Sequence, residues 1–82
     1  MPPDTAEFYF ADCGDLRLDV RKLPKRCAPV FEFRVIDKRD ASICWVGTCM
    51  NLEDAQASAL LEARKFADVP ADFTPQWTRG LP

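Results

Sequence analysis

The chain has 82 residues, 48% of them hydrophobic and 29% charged, with a formal net charge of −2. That size suits a single small domain, residues 1–82, with a thin core, and that balance suits a folded chain rather than a disordered one. No apolar run approaches the ~18 residues needed to span a bilayer, and an acidic whole chain argues against a dominant nucleic-acid binder.

Residues 1–15 carry Asp4, Glu7, Asp12 and Asp15 and no base. A secretory leader needs a basic start, so a cytoplasmic protein with reduced thiols and no membrane contact is expected. "EFYFA" is aromatic and β-prone and reads as the first strand. "DCGD" supplies a turn, with Gly14 free to take positive φ. "DLRLDVRKL" then alternates, with Leu16, Leu18 and Val20 on one face and Arg17, Asp19 and Arg21 on the other. Pro24 and Pro29 bracket a loop.

"VFEFRVID" alternates again, and "DKRD" leads into "ASICWVGTCM" as a hairpin. A three-residue loop, Lys38 to Asp40, sets Phe33 opposite Trp45 and Val35 opposite Ile43, with Asp40 near αL. A two-residue loop sets Phe33 opposite Cys44. The first register gathers the largest apolar groups on one face and makes Trp45 a core anchor against Phe33.

The rhythm changes at Asn51, an N-cap followed by Glu53 and Asp54 in the first turn, where the helix dipole favours negative charge. A helix is expected from about Leu52 to Val69, stopped by Pro70. Leu52, Ala55, Ala59, Ala63, Phe66 and Ala67 share its apolar face, while Leu61 points to solvent among charges. The tail, residues 70–82, has no usable period. Its Phe73 and Trp77 either fold back over a core that needs cover or are offered to a partner.

Catalytic chemistry is poorly supplied, for the chain has no histidine, no nucleophile elbow and no phosphate-cradling glycine loop. Cys13, Cys27, Cys44 and Cys49 are spaced unlike two close zinc-binding pairs. In a regular strand Cys44 and Cys49 point to opposite faces unless Gly47 bends it. Neither enzyme activity, nor a metal, nor a cofactor is expected.

The charge is uneven, with eight bases and three acids in residues 16–39. Arg17, Arg21, Lys22, Lys25, Arg26 and Arg34 form a candidate nucleic-acid surface, with Asp19 and Glu32 interrupting it. In outline, "WVGT" running into "NLEDAQASALLEA" resembles the small sheet-plus-helix DNA-binding domains of phage integrases and plant ethylene-response factors. That likeness covers about half the chain and assigns no residue a role.

The sequence thus predicts an α+β domain. An antiparallel sheet of three or four strands, about residues 7–50, packs on one C-terminal helix and is followed by an irregular tail. The function expected is that of a small binding or regulatory protein, of the accessory or inhibitor type found in bacteria and phages. It would act on a protein partner, or self-associate through a sheet edge, with Leu61, Phe73 and Trp77 as candidate anchors.

Overall fold

The computed structural model describes residues 8–23 and 28–80. Five strands and one helix follow in the order β1 (Phe8–Cys13), β2 (Leu16–Lys22), β3 (Phe31–Asp37), β4 (Ser42–Cys49), α1 (Leu52–Ala63) and β5 (Thr78–Gly80). The strands form one antiparallel sheet in the order β4-β3-β2-β1-β5, with α1 across one face over β2 and β3. The fold is α+β, as the alternating segments predict.

Alternation carries the core. Leu16, Leu18 and Val20 of β2 and Phe31, Phe33 and Val35 of β3 are buried on the helix side. Gly14 takes φ +61°, in the left-handed region a side chain resists, and so closes the tight β1–β2 turn. Ala55, Ala59 and Ala63 are fully buried along α1. The helix thus brings only methyl groups to the core at these three positions, and the larger side chains of β2 and β3 fill the rest. Asn51 caps the helix: its Oδ1 accepts the Asp54 N–H at 2.8 Å, and its Nδ2 donates to Asp54 Oδ2 at 2.9 Å.

Four expectations need correction. The helix ends at Ala63, six residues before Val69. Beyond it the bonds tighten, with Lys65 N–H donating to the Glu62 carbonyl and Phe66 N–H to that of Ala63. Arg64 Nη1 donates to the carbonyls of Val69 and Pro70 at 3.1 and 3.0 Å, holding the reversal that returns Val69 and Phe73 to the core. The tail is not wholly irregular, because Thr78–Gly80 pairs with β1 as a fifth strand.

The third correction is the β3–β4 register. Val35 lies opposite Trp45, Phe33 opposite Gly47 and Ile36 opposite Ile43. The loop has four residues, Lys38 to Ala41, and Ala41 rather than Asp40 takes positive φ. Phe33 decides the matter. Its ring lies over Gly47 so closely that an added Cβ there would sit 2.4 Å from Cζ. Only glycine leaves that space, so the large ring pairs with the smallest residue rather than with Trp45.

The fourth follows from the third. Trp45 is displaced beyond the helix and stands 45% exposed at the sheet margin, not in the core. Between Val35 and Ile36 the register slips by one residue, leaving Cys44 as the extra residue of a bulge. Cys44 and Cys49 therefore both pack against the core, where strict alternation had placed them apart. The bend falls at Cys44, not at Gly47.

Candidate functional site

The face away from the helix carries the predicted arginines. Arg17 and Arg21 alternate with the core residues of β2, and Arg34 with those of β3. Cross-strand neighbours determine what each can do. Arg34 Nε and Nη2 donate to Asp19 Oδ1 and Oδ2, both at 2.9 Å. This bidentate pair raises the Arg34 pKa further and leaves Asp19 only 3% exposed. Arg21 pairs with Glu32 at 3.0 Å. Arg17 lays its guanidinium 4.5 Å from the centre of the Phe10 ring. Lys22 is exposed at the end of β2. Lys25 and Arg26, with Cys27, lie outside the described residues.

At one end of the sheet a cleft of about 680 Å³ opens between the two hairpin turns and residues 66–73. Cys13, Cys44, Phe66 and Phe73 wall it, and Asp37 and Arg39 stand at it. Arg39 donates to both Asp37 oxygens, Nε to Oδ1 at 3.0 Å and Nη2 to Oδ2 at 2.7 Å, holding the Asp37 pKa down at about 2. Burial pushes the Cys13 thiol up, favouring its protonated form. Among the described residues no three Cys, Asp or Glu side chains gather as a metal site, and no helix is long and apolar enough to cross a membrane.

β4 is the sheet's long outer edge. Its eight residues, SICWVGTC, include no charge and no proline. Ile43, Trp45 and Val46 are 54%, 45% and 48% exposed, and Met50 just beyond is 62% exposed. Proteins usually blunt such an edge with charge, proline or brevity. The other edge does so, since β5 has three residues and its central one is Arg79.

The helix borders β4 along a stripe. Ser58 Oγ lies 3.5 Å from Cys49 Sγ, and Lys65 Nζ stands 6.0 Å from the centre of the Trp45 ring. Leu61, 60% exposed, belongs to the same stripe by helical spacing. Of the three anchors proposed from sequence, Leu61 is thus a surface residue on the β4 side. Phe73 and Trp77 are half-buried against the core, the folding-back alternative for the tail. Ile43, Trp45 and Val46 were not singled out as contact residues from sequence. The signal available was the absence of charge from a β-prone run that exceeded every other strand in length.

Comparison with known proteins finds no matching family model, no matching curated protein and no matching solved structure.

Proposed function

We propose that this chain is a small cytoplasmic protein-binding domain of regulatory type, working by contact rather than catalysis, with the β4 edge and the adjoining Leu61 as its docking surface. One observation carries the reading: among the described residues the longer outer strand of the sheet, β4, is uncharged and exposes Ile43, Trp45 and Val46. An open edge offers backbone donors and acceptors to an added strand, and flanking apolar side chains supply the burial. The nucleic-acid alternative draws on the outer face, where Arg34 and Arg21 are already engaged by Asp19 and Glu32. A phosphate bound by those two arginines would have to displace the carboxylates.

The test is a photoreactive phenylalanine analogue at Ile43, with one at the exposed helix position Ala57 as control, in cells that make the protein. Protein adducts are expected from position 43 and not from 57. Absence of any adduct at 43 would refute the reading. Labelled duplex and single-stranded nucleic acids at low salt provide the contrast, where exposed phosphate contacts bind most tightly. No anisotropy change is expected, and binding abolished by added salt would transfer the function to the arginine face.

A further inference from the structure

We infer that the cleft at the end of the sheet is a binding site for a small organic cation, an amine carried on an aromatic body. The site lies between the two hairpin turns and residues 66–73, so the inference stands apart from the β4 docking surface and goes beyond it. Three features carry it.

The first is space. At about 680 Å³ the cleft falls within the ~300–1,000 Å³ of ordinary small-molecule sites. The second is its walls. Cys13 and Leu16, 2% and 3% exposed, supply an apolar inner side. Phe66 keeps 47% of its surface exposed and Phe73 is half-buried, so two aromatic side chains line the cleft with area still to cover. Such rings accept a stacked aromatic guest and attract a cation to their faces.

The third is charge. The cations around the cleft are already engaged. Arg39 is held by both Asp37 oxygens, Lys38 Nζ stands 3.5 Å from Asp12 Oδ1, and Arg64 donates to the carbonyls of Val69 and Pro70. The other carboxylates at the cleft, Asp15 and Asp68, are exposed, and among the described residues neither has an ion-pair partner. The charge left uncompensated at the rim is therefore negative. An anion would meet those carboxylates and would have to compete with Asp37 for Arg39. An amine on an aromatic body answers both the walls and the rim.

The test uses tryptamine, tryptophol and indole-3-propionate, which carry the same indole and tether with a positive, a neutral and a negative end. Each is titrated into the isotope-labelled full chain at low salt in reducing buffer, and amide shifts are read by NMR. Tryptamine should saturate with a Kd on the order of 1 mM, as befits a small ligand in an open cleft, and should move the amides of Gly14, Cys44 and Ala67. It should bind about 5-fold more tightly than tryptophol, with indole-3-propionate weakest, and added salt should erode that order. Asp15→Asn combined with Asp68→Asn should abolish the preference and leave tryptophol binding unchanged. Both positions are exposed, so the spectrum away from the cleft should remain that of wild type. Phe66→Ala should weaken all three ligands alike, at least ~3-fold, by removing an aromatic wall. The inference is overturned by the absence of saturable shifts at the cleft up to ~10 mM tryptamine, where a millimolar constant would nearly fill the site. It is equally overturned by shifts confined to other surfaces, by indole-3-propionate binding as tightly as tryptamine, or by a preference that survives the paired Asn substitutions.

Discussion

Gly47→Ala is the sharpest perturbation the fold offers. A Cβ at residue 47 would lie 2.4 Å from Phe33 Cζ and 2.7 Å from Cε2. Phe33 is only 5% exposed and has little room to withdraw. Crowding a packed core by one carbon typically costs ~1–3 kcal/mol. Replacing a strand glycine recovers ~0.5–1 kcal/mol, because glycine loses more backbone freedom on folding. The net is a destabilisation centred near ~1 kcal/mol and reaching about 2.5, and at ~4–8 °C per kcal/mol for a domain of this size the central value lowers Tm by roughly 5–8 °C. Thermal unfolding at low protein concentration in reducing buffer isolates this effect from self-association. The same substitution in a Phe33→Leu background should cost much less, since the shorter side chain vacates the space. The double-mutant cycle should therefore show a coupling on the order of 1 kcal/mol. A Gly47→Ala protein as stable as wild type, or a cycle without coupling, would refute the account of the β3–β4 register.

Three further outcomes are expected. Arg34→Met strands the nearly buried Asp19 carboxylate and should cost ~2–3 kcal/mol in urea unfolding, somewhat below a fully buried pair because Arg34 keeps 29% of its side chain exposed. Replacing Asp19 with Leu in the same chain should restore most of that loss. Asp37 should titrate at about 2 by NMR, and Arg39→Ala should return it toward the ordinary ~3.9. Because its folded pKa is depressed, the stability it contributes is present above pH ~4 and is lost as pH falls through about 2; exposure keeps that contribution small. Asn51→Ala removes the acceptor for the Asp54 N–H and should cost ~1 kcal/mol, read as a lower Tm.

Sequence periodicity revealed the fold class because each segment speaks through its own neighbours. Leu16, Leu18 and Val20 alternate, alanines recur along α1, and Asn51 stands where a cap is needed. Features set by distant partners were not legible in the same way. The six residues after Ala63 keep a helical pattern, yet Arg64 captures the carbonyls of Val69 and Pro70 and turns the chain. Thr78–Gly80 has no strand signature of its own, and β1 supplies its hydrogen-bonding partner. The alternating pattern of β3 and β4 favours setting large apolar residues opposite one another, but the register pairs Phe33 with Gly47. Two large rings crowd one another under a close-packed helix, whereas a ring over glycine fits.

The same displaced register explains where the candidate surface lies. Had Phe33 met Trp45, the indole would have been buried and β4 would have offered an aliphatic margin only. Because Phe33 occupies the space above Gly47, Trp45 moves to the edge beside Lys65 and the stripe that carries Leu61. One close contact in the core thus places Trp45 on the outer strand β4. The arginine face follows the opposite logic. Its cations were legible in sequence, but so were Asp19 and Glu32 at the same strand positions. Cross-strand pairing turns two of its arginines, Arg21 and Arg34, into neutral ion pairs. Counting charges in a segment overstates its field wherever the partner strand supplies the opposite sign, and an uncharged strand at an edge says more about contact than a charged one in the middle of the sheet.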